Sequence, residues 1–168
     1  MNGISFRILD TQESLSAVRA IAEVFWPVTF APILSPGQIR YMMDMMYAPE
    51  VMERELASGY RFEILQVNGK DAGYISYSPY EGHPGMAKLH KVYLLGEYHG
   101  RGLGQVMLDH AQDQCRKAGF AYIALNVNKY NERAIKAYKR NGFEIADSVK
   151  NPIGNGYFMD DFVMKKKL

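Results

Sequence analysis

The chain has 168 residues, of which 48% are hydrophobic and 23% are charged, a composition typical of one compact folded domain rather than of a disordered or fibrous protein. Its net charge of +2 lacks the large excess of Lys and Arg that marks a nucleic-acid-binding surface, so we expect no nucleic-acid partner. The single cysteine, Cys115, excludes an internal disulfide bond, and no group of Cys and His residues has the spacing of a metal site, so we predict no metal.

The first third of the chain predicts one strand and three helices. We predict a strand over residues 5–9, a helix over 13–25 that ends at Trp26 and Pro27, a helix from Pro36 to about Tyr47, and a short helix over 50–58. The start of the chain lacks the continuous apolar segment of a signal peptide. The longest stretch without charged residues, 24–39, contains three prolines, which exclude a membrane span. We therefore expect a cytoplasmic protein with no membrane partner.

The rest of the chain predicts strands and helices in alternation. Two β-rich segments, 61–67 and 73–77, flank an Asn-Gly turn, and a third strand follows over 86–95. Next come a helix over 103–118, a buried strand over 121–127, a helix over 131–141, and two closing strands over 143–149 and 157–164 around a loop at 151–156. This order predicts one mixed α/β domain over residues 1–168.

Glycines occupy the junction between the strand over 86–95 and the helix after it. The junction reads His99-Gly100-Arg101-Gly102-Leu103-Gly104. A strand that runs through glycines into a helix points main-chain N–H groups at the positive end of the helix dipole, where a phosphate can approach the backbone closely. The motif lacks the Gly-Lys-Ser/Thr of P-loop nucleotide hydrolases. Its third glycine comes one residue too early for a dinucleotide-binding fingerprint and no acidic residue follows at the expected distance, which disfavours a Rossmann-type domain.

A second motif lies about thirty residues further along the chain. It consists of Leu125-Asn126-Val127, Asn131-Glu132-Arg133-Ala134, Tyr138 and Gly142-Phe143. Together the two motifs resemble those of the GNAT N-acetyltransferase superfamily, and the resemblance covers roughly residues 60–165. The N-terminal third and the segments Gly154-Asn155-Gly156-Tyr157 and Asp160-Asp161 resemble the bacterial spermidine/spermine acetyltransferase-like branch. His99 stands where that family has Gln or Arg, so a contact from its side chain to the pyrophosphate stays open.

This resemblance implies a three-layer fold, in which helices flank a central, mostly antiparallel twisted sheet, and acetyl-CoA as the co-substrate. It implies that acetyl-CoA contacts the end of the strand, the turn and the later helix, at Val92, Tyr93, Leu94, His99, Gly100, Arg101, Gly102, Leu103, Gly104, Gln105, Asn131 and Tyr138. In the superfamily the residue that matches Tyr138 protonates the departing thiolate. Tyr138 follows Asn131 by seven residues, nearly two helical turns, so both project from one face. A core tyrosine and a plain N-cap are the alternatives for these two residues.

Acetyl transfer also needs a base, because an alkylamine with a pKa of about 10.4 is almost fully protonated at pH 7. His90 lies early on the strand before the turn, in a segment that faces the acceptor amine in GNAT proteins. An imidazole is mostly neutral at pH 7 and accepts a proton directly or through water. The alternative is a histidine held in a half-buried strand. We predict direct attack of the amine on acetyl-CoA in a ternary complex, with His90 as base and Tyr138 as acid.

For the acceptor we predict a primary amine of a small molecule that contacts Trp26, Phe30, Tyr77 and Lys88. Several superfamily members have glutamate near the position of Lys88. The positive charge of Lys88 repels a cationic amine unless that charge is screened. Two alternatives stay open, which are acetylation of a protein or peptide amine and a CoA-binding regulatory module without turnover. The closing strands also favour a homodimer edge.

Overall fold

The computed structural model describes residues 3–168 of the chain. The strands in this part are β1 (Ile4–Leu9), β2 (Arg61–Val67), β3 (Lys70–Pro79), β4 (Met86–Leu94), β5 (Tyr122–Asn128), β6 (Glu144–Gly154) and β7 (Tyr157–Lys167). The helices are α1 (Gln12–Thr29), α2 (Pro36–Tyr47), α3 (Pro49–Ala57), α4 (Leu103–Lys117) and α5 (Glu132–Arg140), and a single 3-10 turn spans Gly96–Tyr98.

The strands form a seven-stranded sheet in the order β1-β2-β3-β4-β5-β7-β6. The pairs β1–β2, β2–β3, β5–β7 and β6–β7 are antiparallel. β4 and β5 run parallel, with a register that extends from Met86 opposite Tyr122 to Leu89 opposite Leu125. Helices combined with this mainly antiparallel sheet confirm the predicted mixed α/β fold class.

The chain divides into two compact units, of which the first comprises the chain up to Ser78 together with His90–Ala111. Leu15, Val18 and Ala22 recur on one face of α1 and are fully buried, as expected for an amphipathic helix that covers a core. α1 contacts α2, α3 and β2 within this unit. The glycine turn also belongs to this unit, together with the part of β4 from His90 to Leu94.

The second unit comprises Pro79–Leu89 and Gln112–Leu168. Its strand β5 pairs with both β4 and β7, and the consecutive residues Ile123, Ala124 and Leu125 are all buried. Such a run of buried residues is typical of a strand that is covered on both faces. The prediction of a single domain over residues 1–168 stays a prediction, and residues 1 and 2 lie outside the described part of the chain.

Helix α1 is longer than its sequence predicts. The predicted end at Trp26 and Pro27 is wrong, because α1 continues through the proline to Thr29. The Phe30 N–H donates to Trp26 O at 3.0 Å, so the last turn keeps a main-chain hydrogen bond beyond the proline. Trp26 and Phe30 are 2% and 6% exposed, and burial of both rings offsets the one hydrogen bond that a proline removes from a helix.

The closing hairpin is also longer than predicted. The loop expected at 151–156 is part of the ladder, in which Asn151 pairs with Met159 and Pro152 with Phe158. The connection is a two-residue turn in which Asn155 and Gly156 have φ values of 53° and 76°, as a tight hairpin turn requires. Pro152 is tolerated because β6 is the last strand of the sheet, where an edge strand can lack one N–H donor.

In residues 3–168, none of the helices has both the length and the apolar character needed to cross a membrane.

Candidate active site

The glycine turn has a main-chain conformation that only glycine adopts readily. Gly100 and Gly102 both have a φ of 74°, in the left-handed region that costs an L-residue about 1–2 kcal/mol. Among residues 3–168, apart from the adjoining residues and the backbone of α4 itself, no atom lies within 4 Å of the place that a Cβ would take at Gly100, Gly102 or Gly104. The space over these three residues is therefore open, and α4 begins at Leu103, where the Gln105 and Val106 N–H groups donate to Gly102 O at 3.1 and 3.2 Å. This arrangement is suited to an anion that approaches the backbone.

His99 makes a contact that its sequence position does not predict. Its Nε2 lies 2.9 Å from Leu94 O, and because a carbonyl oxygen only accepts, Nε2 carries the hydrogen and donates it. The imidazole thus joins the last residue of β4 to the first residue of the motif. The sequence left open whether this side chain faces a phosphate, whereas the structure directs its Nε2 to the main chain.

The segment between β4 and the glycines is fastened at further points. The Leu95 N–H donates to Ala72 O at 2.9 Å and the Tyr98 N–H donates to Leu95 O at 3.0 Å. The Tyr98 ring is 8% exposed, and the Arg101 guanidinium lies 5.6 Å from its centroid. Anchors on both sides of the 3-10 turn hold the entry to the glycine motif.

Gly73 marks a close approach of two strands that the sequence analysis missed. A Cβ on Gly73 would lie 2.5 Å from Tyr93 O and 3.2 Å from the Cα of Leu94, so only glycine allows this close approach of β3 to the end of β4. The signal in the sequence is a glycine inside a strand, which often marks such an approach.

His90 is held by two residues on other strands or loops of its own unit. Its Nε2 lies 2.8 Å from Ser78 Oγ, and its ring stacks on that of Tyr60 with centroids 4.3 Å apart and an interplanar angle of 13°. The stack and the hydrogen bond together fix the plane of the imidazole. Ser78 and Tyr60 were missed by the sequence analysis, because neither is near His90 in sequence.

Asn131 caps helix α5. Its Oδ1 accepts a hydrogen bond from the Ala134 N–H at 3.3 Å, so the N-cap that the sequence left as an alternative is present. The cap uses the side-chain oxygen of Asn131. A contact from this amide to a cofactor would therefore come from its NH₂ group. The predicted contact to acetyl-CoA therefore stays a prediction.

Tyr138 lies two turns further along α5 and is half-buried. Its ring packs against Phe143 with centroids 5.8 Å apart and an interplanar angle of 63°. In the part of the chain that the structure describes, its hydroxyl has no hydrogen-bond partner. Burial raises the pKa of Tyr138 to about 12, so the phenol keeps its proton at neutral and moderately alkaline pH.

Lys88 belongs to a polar cluster of the second unit and is 9% exposed. Its Nζ donates to Asn126 Oδ1 and lies 4.6 Å from the centroid of the Tyr80 ring. The Asn126 amide in turn donates to Asp161 Oδ2 at 3.4 Å. Burial lowers the pKa of Lys88 to about 8, although the charge of Asp161 acts in the opposite direction. The ammonium is therefore screened by an amide, an aromatic face and a carboxylate.

Trp26 and Phe30 lie in one aromatic cluster with Tyr93, a predicted cofactor-binding residue. The ring centroid of Tyr93 is 5.9 Å from that of Trp26 and 6.3 Å from that of Phe30. The Trp26 Nε1–H donates to the Tyr47 hydroxyl at 3.1 Å, and this hydroxyl is 2.6 Å from that of Tyr74. The structure thus brings two of the predicted acceptor residues together with β4.

Tyr77 has a different environment from Trp26 and Phe30. Its hydroxyl donates to Glu63 Oε1 at 2.7 Å, and His110 Nε2 is 2.7 Å from the other carboxylate oxygen. Burial alone would raise the pKa of Glu63, but the hydrogen bonds from His110 and Tyr77 and the nearby positive charges lower it below its ordinary value. Glu63 is 4% exposed and was missed by the sequence analysis, because a lone glutamate in a strand carries no distinguishing pattern.

Across residues 3–168, no three His, Cys, Asp or Glu side chains lie together in an arrangement able to hold a metal ion.

Comparison with known proteins connects this site to a family. Residues 18–143, more than half of the chain, match the acetyltransferase (GNAT) family. A spermidine N(1)-acetyltransferase of Thermoplasma acidophilum is 26% identical over 157 residues, which cover 92% of each chain. An uncharacterized N-acetyltransferase of Methanocaldococcus jannaschii is 32% identical over 94 residues, which cover 53% of this chain and 41% of that protein.

A solved structure supports the same conclusion. The PaiA N-acetyltransferase of Thermoplasma acidophilum in complex with coenzyme A is similar with a TM-score of 0.82 and 25% identity, over 98% of this chain and 99% of that chain. These similarities confirm the predicted fold and acetyl-CoA as the co-substrate, and they support the spermidine/spermine acetyltransferase-like branch. The protein is therefore an acetyl-CoA-dependent N-acetyltransferase that belongs to the GNAT family.

Proposed function

We propose that the protein transfers the acetyl group of acetyl-CoA to a primary amine of a small molecule, by direct attack of the amine in a ternary complex. The observation that carries this proposal is the similarity, over 92% of both chains, to a spermidine N(1)-acetyltransferase. Family membership establishes N-acetyl transfer, and this relative favours a small, cationic acceptor. A cytoplasmic location and a homodimer remain predictions, which cell fractionation and light scattering would check.

In this proposal the glycine turn binds the pyrophosphate of acetyl-CoA through its main chain. Gly100, Gly102 and Gly104 leave the backbone uncovered, and the start of α4 supplies partly positive N–H groups. Arg101 and Gln105 flank these glycines. The end of β4, at Val92, Tyr93 and Leu94, is proposed to hold the pantetheine arm, and Asn131 to hold the same cofactor from α5.

His90 is the proposed general base. The acceptor ammonium must lose a proton before its nitrogen lone pair can attack the thioester carbonyl, and a neutral imidazole takes that proton directly or through water. The hydrogen bond to Ser78 and the stack on Tyr60 orient the ring. With Nε2 as the donor to Ser78, the basic lone pair is on Nδ1.

Tyr138 is the proposed general acid. Attack on the carbonyl gives a tetrahedral intermediate whose C–S bond breaks with the electron pair leaving on sulfur, and a proton from the phenol converts that thiolate into a thiol. The pKa of Tyr138, raised to about 12 by burial, keeps the proton available on oxygen. Its hydroxyl has no hydrogen-bond partner in the described part of the chain, which supports a role toward a bound ligand.

The acceptor is proposed to contact Trp26, Phe30, Tyr77 and Lys88. The charge of Lys88 does not argue against a cationic acceptor, because Asn126, Tyr80 and Asp161 screen it within the second unit. Trp26 and Phe30 share a cluster with Tyr93 of β4.

A thiol-release assay tests the proposal. Purified protein is given acetyl-CoA with spermidine, spermine, 1,4-diaminobutane, single amino acids, aminoglycosides or short peptides with a free N-terminus. We expect turnover with at least one small amine and a KM for it well below that for any peptide. Turnover with peptides alone would show that the acceptor is a protein or peptide amine rather than a small molecule. CoA binding without any turnover would indicate a CoA-binding regulatory module.

A further inference from the structure

We infer that His99 is a positioning residue that sets the conformation of the pyrophosphate-binding turn through the main chain of β4, rather than a direct ligand of the phosphate. This inference rests on the proposed role of the turn in binding acetyl-CoA. The observation behind it is the hydrogen bond from His99 Nε2 to Leu94 O at 2.9 Å. A Gln or Arg side chain, which the family pattern has here, is flexible, whereas an imidazole is rigid.

The contact closes a short ring of main chain at the end of β4. Between Leu94 and His99 the chain makes one 3-10 turn, which is held by the His99 N–H to Gly96 O at 3.0 Å. The imidazole adds a link from the same residue, His99, to Leu94 at the end of β4. A strand-end carbonyl that leaves the ladder needs a partner, and His99 supplies it for Leu94.

The two glycines that follow explain why this link matters. Gly100 and Gly102 have no side chains to fix them, and glycine loses more conformational freedom on ordering than any other residue. Anion binding requires their N–H groups to converge, so the entropy of ordering is subtracted from the binding free energy unless the turn is already held. The side chain of His99 holds its own main chain in place directly before Gly100, so it reduces the entropic cost of ordering the turn.

Positioning and direct phosphate contact predict different effects of substitution. Under positioning, His99→Ala weakens CoA binding by about 10-fold, whereas His99→Gln, whose Nε2 can donate at a similar reach, stays within about 3-fold of the wild type. Asn at this position is polar but shorter than His, so His99→Asn behaves like His99→Ala. Under direct contact, His99→Lys retains or improves affinity because it adds a positive charge.

The test measures CoA affinity by calorimetry for the wild type and these four variants, and steady-state kinetics with two acetyl donors. Acetyl-pantetheine lacks the pyrophosphate, so a residue that acts only on the turn leaves its kcat/KM unchanged. We expect His99→Ala and His99→Asn to raise KM for acetyl-CoA about 10-fold with kcat unchanged and to leave acetyl-pantetheine unaffected.

Three results would overturn the inference: wild-type affinity in His99→Ala, equal losses with both acetyl donors, or an affinity of His99→Lys at or above that of the wild type. Failure of the wild type itself to bind CoA would instead remove the proposed function, and this inference with it. His99→Lys keeps the inference testable if His99→Ala does not fold, because positioning predicts a loss of CoA affinity in His99→Lys and direct phosphate contact predicts none.

Discussion

The glycine turn and helix α5 carry the two family motifs. The proposed role of the turn depends on its main chain, whereas that of α5 depends on its side chains. At the turn the main chain is exposed, and Gly100 and Gly102 are needed for their φ of 74° and for the open space above them. On α5 the side chains are needed, and Tyr138 offers one phenol with its proton retained. We therefore expect the turn to tolerate a change such as His99 in the family pattern, and we expect α5 to lose its proposed role when the phenol of Tyr138 is removed.

The largest expected effect is on catalysis and comes from α5. Tyr138→Phe should lower kcat by about 10²- to 10³-fold, the usual contribution of a general acid, with the affinity for acetyl-CoA unchanged. Thermal unfolding should stay the same, because the hydroxyl has no hydrogen-bond partner in residues 3–168. Tyr130→Phe is the matched control, since Tyr130 is 68% exposed. A full rate in Tyr138→Phe would remove this residue from the mechanism.

The next effect is on binding and comes from the turn. Gly102→Ala should weaken CoA binding by about 30- to 100-fold, or roughly 2–2.7 kcal/mol, because a Cβ adds left-handed strain and blocks the approach of the phosphate. Calorimetric titration measures this loss.

Substitutions at two other glycines distinguish the effect of backbone strain from the effect of blocking the approach of the phosphate. Gly82 has the similar φ of 75° and open surroundings, so Gly82→Ala should lose similar stability and no affinity. Gly104 lies within α4, so Gly104→Ala adds a methyl group without that strain, and the affinity of this variant measures the blocking effect alone. Equal affinities for Gly102→Ala and Gly82→Ala would contradict anion binding by the main chain.

A smaller catalytic effect is expected at the base. His90→Ala should lower kcat by about 10- to 100-fold at pH 7 and recover partly toward pH 9, because the neutral fraction of a free alkylamine rises about tenfold per pH unit below its pKa. Ser78→Ala should lose only a few-fold, since it removes one orienting bond and keeps the base. His83→Ala is the control, because His83 is exposed. A pH–rate profile of unchanged shape in His90→Ala would assign the base elsewhere.

The smallest expected effect is on stability and concerns Lys88. Burial lowers its pKa to about 8, so below pH 8 the lysine is protonated in the folded and unfolded chains and its full desolvation cost is present. Between pH 8 and about 10.5 the unfolded chain binds more protons than the folded one, so the stability of the wild type rises with pH. Relative to Lys88→Met, the wild type should gain about 1–3 kcal/mol across this range.

Chemical denaturation of both proteins at several pH values measures this gain. Lys117→Met is the control for the loss of one lysine, since Lys117 is exposed. A constant difference between wild type and Lys88→Met from pH 8 to 10.5 would show that Lys88 keeps its ordinary pKa.

The sequence was sufficient for features that depend on local chemistry. The glycine turn and the Asn68-Gly69 hairpin are specified by residues within a few positions of one another, and their patterns predict them directly. The Asn131 cap was one of two alternatives, and the turn at Asn155-Gly156 was predicted only as part of a loop. Helix α1 shows the limit of such rules. Its local signal ends at Pro27, but burial of two aromatic rings extends the helix to Thr29.

The contacts that the site residues make could not be predicted from the sequence. His90 meets Ser78 from twelve residues away, and Lys88 meets Asn126 from thirty-eight residues away. Such contacts depend on strand register and on the packing of side chains, which no local pattern encodes. The contact from His99 to Leu94 O is local, yet a motif defined by residue type does not say where a side chain is directed.

The central claim is that the main chain of the glycine turn binds the pyrophosphate of acetyl-CoA. A crystal structure of the protein with CoA tests it most directly. The account predicts pyrophosphate oxygens at about 3 Å from main-chain nitrogens within residues 100–105, with the contact of His99 to Leu94 O retained. A pyrophosphate bound elsewhere on the protein, with these nitrogens facing only water, would contradict it.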